Sequence, residues 1–437
     1  MTDKSARSVP AHRLSRLAHL GGLATRVAGG VVAEGVRQLA KGQRPEAKDL
    51  LLTPANLRRV ADKLAHLRGA AMKLGQLLSM DAGDLMPVEL AELLAGLRSG
   101  ATPMPMLQLA AVMEQNLGSD WQTHFQQFSF SPLAAASIGQ VHQAIDRQGN
   151  QLALKIQYPG VRQSIDSDVD NVVSLLKLSR LLPPELPLQE LIEEAKRQLH
   201  AEADYRLEAE HLQAYHQHLN HREEIRVPQF YPALSGETLL CMSYESGAAL
   251  DQLIYQARPE RQRIAALLLE LLMQELFVFG RVQTDPNFAN FLYDPASRDL
   301  VLLDFGATRL YSPHWTQAYR AIFRAGIAQD RDALLEAATQ IGYFKREITS
   351  AQQTQVLSLF ELAMEPLRAE TYDFAATDLA RRLRDQGMEL SLRQGYWHSP
   401  PIDALFLHRK LAGLYLLFAR LGVSLPCRAL VEPWLAD

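Results

Sequence analysis

Leu303-Asp304-Phe305-Gly306 closes an apolar run with a carboxylate, an aromatic ring and a glycine. A carboxylate at a strand end, followed by a residue that frees the backbone, is placed to reach a Mg²⁺ ion on nucleotide phosphates. Asp-Phe-Gly alone is too short a string to be specific. Fourteen residues before Asp304 stands Asn290, and five before that stands Asp285, within Thr284-Asp285-Pro286-Asn287-Phe288-Ala289-Asn290. Asp-x-x-x-x-Asn is the spacing of a phosphotransfer loop, in which Asp orients or deprotonates the acceptor and Asn holds a second metal. Asn and Asp beside Pro also make ordinary turns. The loop gains its meaning from its distance to Asp304.

Leu152-Ala153-Leu154-Lys155-Ile156 is similar to the V-A-I-K strand of protein kinases. A lysine in an apolar alternating run is costly to bury unless paired, so an anionic partner is expected: nucleotide phosphates and a helical glutamate. The plain alternative is a solvent-facing strand lysine. The partner is expected on the helix carrying Glu202-Ala203-Asp204-Tyr205-Arg206-Leu207-Glu208. On one helix Asp204 and Glu208 share a face, whereas Glu202 sits about 120° from Glu208, so Glu202 and Glu208 cannot easily serve one partner. Where a kinase carries G-x-G-x-x-G between its first strands, this chain has Ala134-Ala135-Ala136-Ser137-Ile138-Gly139. Alanine keeps its N–H but disfavours positive φ, so the loop should be stiffer and hold phosphates differently. Ala134, Ala135, Ala136, Ser137, Lys155 and Glu245 form the candidate nucleotide-binding set.

The elements that must position these residues follow from pattern. Short alternating runs at Phe125–Phe130, Gln140–Ile145 and Gln151–Gln157 predict a meander of strands. Helices are predicted from about Val161 to Leu182, from Leu188 to about Leu219 and from Pro259 to Phe279. Leu239–Tyr244, Phe291–Tyr293 and Leu300–Leu303 read as strands, and from Pro313 onward the chain reads helical. Ahead of these, 53–117 is helical in period, with Thr53-Pro54 as a cap and breaks at Pro87, Pro103 and Pro105. In 1–50, Leu14, Leu17, Leu20, Ala24, Val27 and Val31 recur at helical spacing among Arg13, Arg16 and Arg26. That stretch suits an anionic membrane surface or packing on its own domain; its Gly21-Gly22 and Gly29-Gly30 pairs weaken a free-standing helix. The expected organisation is a basic extension over 1–50, a helical extension over 51–120, a β-rich lobe over 121–245 and a helical lobe over 246–437.

Composition bounds the reading. A chain of 437 residues, 47% apolar and 22% charged, is globular in balance, which excludes wholesale disorder, collagen and coiled coil. Forty-five basic against 49 acidic residues leave −4, which speaks against a nucleic-acid binder. Cys241 and Cys427 are too few for a disulfide framework or a cysteine-held metal cluster, and a reducing compartment fits. No uninterrupted apolar run is long enough to span a bilayer: Leu267 to Gly280 is broken by Glu270, Gln274 and Glu275. No secretory signal is read either. A soluble protein is expected.

As a set these residues resemble the UbiB/ADCK family of atypical kinases, the AarF-type group associated with ubiquinone biosynthesis. The distinguishing K-x-G-Q stands here as Lys73-Leu74-Gly75-Gln76. The Ala-rich loop, the E-x-D pair Glu202 and Asp204, and Gln283-Thr284-Asp285-Pro286-Asn287-Phe288-Ala289-Asn290 complete the set. The last is closer to the coenzyme-Q-linked branch than to the H-A-D-P-H-P-G-N form of many bacterial members, and the likeness extends to His408-Arg409-Lys410. The resemblance implies an α+β, protein-kinase-like two-lobed fold with extra N-terminal helices carrying K-x-G-Q. By position it implies that Lys155 pairs with Glu208 and nucleotide phosphates, that Asp285 is the catalytic-loop acid, and that Asn290 and Asp304 hold Mg²⁺. Lys73, Gly75 and Gln76 would form a lid, with Lys73 reaching Glu202 or Asp204.

The implied cofactors are ATP or ADP and Mg²⁺. The implied partners are an isoprenoid or quinone-precursor lipid and quinone-biosynthesis proteins, with a cytoplasmic location and peripheral contact at the inner membrane. ATP hydrolysis, rather than phosphorylation of proteins in trans, is the expected reaction. The absence of A-P-E after Asp304 agrees: Ala307-Thr308-Arg309-Leu310 is expected to run straight into helix. Two other classes stand beside this one: a non-catalytic module in which nucleotide gates lipid or partner binding, and an aminoglycoside-type phosphotransferase, against which K-x-G-Q and Asp-Phe-Gly speak.

Overall fold

The computed structural model describes residues 104–179, 188–344, 348–390 and 400–436. The basic stretch 1–50, Lys73, Gly75 and Gln76, and the expected helical pattern before 104 lie outside these residues. In chain order come helix α1 (Met106–Leu117), strands β1 (Phe125–Phe128), β2 (Ala134–Ala135), β3 (Gly139–Asp146) and β4 (Gln151–Gln157), then helices α2 (Val161–Ser179), α3 (Leu188–Glu202) and α4 (Tyr205–Leu219). Strands β5 (Ile225–Arg226), β6 (Leu239–Ser243) and β7 (Ala248–Ala249) precede helix α5 (Arg258–Gln274). Strands β8 (Arg281–Gln283), β9 (Phe291–Tyr293), β10 (Leu300–Leu302) and β11 (Thr308–Leu310) follow. Helices α6 (Pro313–Ala328), α7 (Arg331–Gln340) and α8 (Ser350–Ala363), strand β12 (Tyr372–Asp373) and helices α9 (Leu379–Met388) and α10 (Ile402–Leu421) lead to β13 (Ser424–Leu425) and α11 (Cys427–Val431).

Two compact units result, the first reaching Glu210 and including Gln229–Tyr244, the second formed by His211–Pro228 and Glu245–Asp437. In the first, β1, β3, β4 and β6 make an antiparallel sheet in that order, with β2 also paired to β3. Strand side chains alternate faces. Leu152, Leu154 and Ile156 of β4 join Leu109, Val112 and Met113 of α1 in one apolar cluster with Trp121, Phe125 and Cys241. Lys155 therefore takes the opposite face of β4. Gly139 opens β3 where a Cβ would overlap the Ile156 carbonyl oxygen, so only glycine permits this approach of the two strands.

Where one helix was expected from Leu188 to Leu219, the chain breaks at Ala203-Asp204. The Ala203 carbonyl accepts the Gln157 side-chain amide at 3.0 Å. Asp204 Oδ1 accepts the N–H groups of Arg206 and Leu207, each at 3.2 Å, and so caps α4. The 120° relation between Glu202 and Glu208 does not survive this break, because the two now belong to different helices.

In the second unit β5, β10, β9 and β7 form a small sheet, with β10 parallel to β5, and β8 pairs antiparallel with β11. Residues 308–310 are strand, not the helix expected after Asp304, because they complete this pairing before Ser312 caps α6. A β12–β13 pair likewise interrupts the expected all-helical C-terminal region. No helix among the described residues is long and apolar enough to cross a membrane.

Candidate functional site

In the first unit Lys155 Nζ donates to both carboxylate oxygens of Glu208, at 2.7 and 2.9 Å. Lys155 is 8% exposed and Glu208 2%, so the strand lysine is buried against the helical carboxylate rather than facing solvent. These are the short distances of charge-assisted hydrogen bonds, which offset the cost of taking both groups out of water. The fully buried Tyr205 ring, one residue past the helix break, lies 5.4 Å from the same ammonium.

The Ala-rich segment is only partly a loop. Ala134 and Ala135 form β2, exposed and paired with Val141 and Gln140 of β3. The Ala136 N–H donates to the Gly139 carbonyl at 2.9 Å, so this amide is already committed within the turn. Ser137 Oγ donates to Glu202 Oε2 at 3.0 Å, which ties the turn to the first acid of E-x-D. The second acid, Asp204, lies 3.5 Å from Arg162 besides capping α4.

In the second unit the backbone brings Asp285, Asn290 and Asp304 together. The Thr284 N–H and hydroxyl both donate to the Ala307 carbonyl, at 3.1 and 2.7 Å. The Leu303 N–H donates to the Asn290 carbonyl at 3.0 Å. The segment from Thr284 to Asn290 is thus stitched at both ends to the residues on either side of Asp304. Asn290 Nδ2 donates to Asp285 Oδ2 at 2.9 Å, which turns its own carbonyl oxygen away from that carboxylate. Asp304 Oδ1 accepts the Gly306 N–H at 2.9 Å. Glu245, in the same unit, stands 3.8 Å from Arg226.

Among the described residues no cluster of three or more His, Cys, Asp or Glu could cage a metal by itself.

A buried polar array, unread in the sequence, lies against this loop. Tyr215, on the part of α4 within the second unit, donates its hydroxyl to Glu275 at 2.6 Å and accepts the Gln283 N–H at 2.8 Å. Its ring centroid is 4.9 Å from that of Phe305. Glu275 opens a widened π turn, Glu275–Phe279, of the kind found at functional sites. Lys410 of α10 approaches Glu275 at 4.0 Å and donates to Gln283 Oε1 at 3.1 Å. Opposite charges at that distance favour ionisation, but desolvation dominates on both sides: burial pushes the Glu275 carboxyl up and the Lys410 ammonium down. Burial also lifts the Tyr215 phenol well above its ordinary value and keeps it a neutral donor. Beside Lys410, Arg409 Nη2 donates to Asp285 Oδ1 at 2.8 Å. In the sequence Glu275 stood out as a break in the apolar run 267–280, and Gln283 and Lys410 as parts of the family likeness, with nothing to join the three.

Residues 96–338 match the family described as ABC1 atypical kinase-like domain. The chain belongs to this family, and its fold is the α+β, protein-kinase-like one. Its relatives place it in the UbiB/ADCK branch that carries the COQ8 name. It is 37% identical over 430 residues to the atypical kinase COQ8, mitochondrial, of Saccharomyces cerevisiae, covering 97% of this chain and 85% of that protein. It is 38% identical over 436 residues to the atypical kinase COQ8B, mitochondrial, of Rattus norvegicus, covering 99% and 82%. A solved Rv3197–erythromycin complex from Mycobacterium tuberculosis aligns with TM-score 0.60 and 25% identity over 84% of this chain and 93% of that one.

Proposed function

We infer that this protein is a Mg-ATP-binding atypical kinase or ATPase that serves ubiquinone biosynthesis and hydrolyses ATP rather than phosphorylating proteins in trans. The observation that carries the reading is the buried Lys155–Glu208 pair, at 2.7 and 2.9 Å, in a chain whose Asp285, Asn290 and Asp304 share one loop framework. Membership in a kinase-like family whose relatives bear the COQ8 name supports the pathway. Lys155, held by Glu208, meets the nucleotide phosphates. Asn290 and Asp304 offer oxygens to Mg²⁺, which supplies charge neutralisation on the phosphates. Asp285 orients the attacking water or hydroxyl and takes its proton. Ser137, Ala134 to Ala136 and Glu245 line the nucleotide. Lys73, Gly75 and Gln76 belong to a lid that works with Glu202 and Asp204. An isoprenoid or quinone-precursor lipid and peripheral membrane contact complete the reading.

Phosphate release from Mg-ATP by the purified protein, with and without anionic liposomes and a quinone-like phenol, tests it against Asp285→Asn. Release in the wild type well above the variant is expected. Release no faster than in Asp285→Asn, with lipid binding retained, would favour the nucleotide-gated module instead. In a thermal-shift assay Mg-ATP should stabilise the wild type and not Asp304→Asn; equal shifts would remove the assigned metal site.

A further inference from the structure

Helix α10 meets the segment Gln283–Asn290 at three points. Arg409 Nη2 donates to Asp285 Oδ1 at 2.8 Å. Lys410 Nζ donates to Gln283 Oε1 at 3.1 Å and lies 5.0 Å from the Phe291 ring centroid, so a single ammonium touches the strand residues on both sides of the loop. Gly413 lies where a Cβ would overlap the Pro286 ring, the residue after Asp285. At about 100° per residue the three positions fall within roughly a 100° arc of the helix. Asp285 is gripped twice: by Asn290 from within its own loop, and by an arginine 124 residues later.

The geometry points to α10 as a clamp that sets the orientation of the catalytic-loop carboxylate, with Arg409 as the positioning residue acting through Asp285. This rests on reading Asp285 as the group that orients the attacking oxygen. An exposed ion pair contributes little to stability, and the side chains here, 14% and 22% exposed, are partly screened. The value of this contact lies in direction instead. Arg409 bonds one oxygen of the carboxylate, Oδ1, while Asn290 bonds the other, Oδ2, so the two donors together fix its plane, and misplacing a reacting group by about 1 Å costs on the order of a hundredfold in rate. Lys410 and Gly413 make the helix itself a fixed support: one holds the flanking strands, the other lets the backbone come close.

Two readouts on the full chain test the clamp. The first is amide hydrogen exchange across Thr284–Asn290 without nucleotide. Arg409→Gln should speed it about tenfold, with Arg409→Lys closer to the wild type; unchanged exchange in Arg409→Gln overturns the clamp. The second is steady-state phosphate release. Arg409→Gln should lower kcat by about tenfold to a hundredfold with KM for ATP held within about twofold. In the Asp285→Asn background the same change should cost nothing further, because the group being positioned is gone. Equal losses in both backgrounds would make Arg409 merely structural and overturn the proposal. If Arg409→Gln does not fold, Gly413→Ala disturbs the clamp at Pro286 and should also speed loop exchange; no change would again overturn it. Failure of the ATPase reading looks different: wild-type phosphate release would equal that of Asp285→Asn, and the exchange result alone would then decide the clamp.

Discussion

Each unit buries a lysine with a glutamate, and the two pairs differ in how the charges meet. In the first, Lys155 touches Glu208 directly at 2.7 and 2.9 Å, and the lysine keeps 8% exposure. In the second, Lys410 and Glu275 stand 4.0 Å apart, the lysine is 2% exposed, and Gln283 and Phe291 take up its ammonium. Direct contact suits the phosphate-binding role proposed for Lys155. The longer pair, in which burial drives both groups toward their neutral forms, suits an interior brace that needs hydrogen bonds more than charge. A buried lysine beside a glutamate is therefore no signature of function by itself. The distance between the two and what else reaches the ammonium tell the two uses apart.

Replacing each lysine by methionine should break or sharpen that contrast. Lys155→Met should lower phosphate release by about 10²- to 10³-fold. It leaves Glu208 buried without this cation and should cost about 3 kcal/mol in urea denaturation. Lys410→Met should cost only about 1 kcal/mol, the scale of a lost hydrogen bond to Gln283. Equal losses would erase the difference between the pairs.

The two close-packed glycines extend the comparison. An alanine Cβ at position 139 meets a backbone carbonyl in the β3–β4 ladder, whereas at position 413 it meets the Pro286 ring of a loop. Overpacking costs about 1–3 kcal/mol, so Gly139→Ala should fall near the top of that range and Gly413→Ala near the bottom. Gly413→Ala should nonetheless show the larger drop in phosphate release for each unit of stability lost. Denaturation and turnover measured on the same samples decide it, and a reversed order would mean that the loop is the stiffer of the two regions.

Much of this was legible in the sequence because it is written in local pattern. The alternation of 151–157 marks β4 and sets Lys155 in an apolar run, where a buried lysine needs an anionic partner. The spacing of Asp285, Asn290 and Asp304 anticipated residues that the backbone then joined. The unread part is long-range. Asp204 reads as a helical residue until Gln157, from a distant strand, takes the Ala203 carbonyl and the helix ends there. The strand at 308–310 depends on β8, which carries no pattern of its own across three residues. Arg409 and Lys410 belong to a segment that the family likeness reached without giving it a role, and only the folded second unit sets them against residues 283–286.

Acid should test the two units unequally. The second unit buries His408, whose ring nitrogen meets the Tyr343 hydroxyl at 2.6 Å and the Tyr319 hydroxyl at 3.5 Å. Burial alone draws it down to about 4. His211, beside Arg281 in the same unit, is drawn to about 4 by burial and then by that charge. In the first unit His142 is also lowered by burial, but a bond to the Ser129 carbonyl opposes the shift. A histidine near 6.5 in the unfolded chain and near 4 when folded binds its proton first in the unfolded state. The stability it supports is complete above about pH 6.5 and is lost as the pH falls toward 4. Between pH 7 and pH 5, His408 should account for about 1–2 kcal/mol of lost stability. Urea titrations at the two pH values, on the wild type and His408→Gln, measure it. The variant should start less stable at pH 7 and show a flatter pH dependence. An identical slope would mean that the folded protein protonates His408 as readily as the unfolded chain does, and the Tyr319–Tyr343–His408 cluster would then open before the unit unfolds.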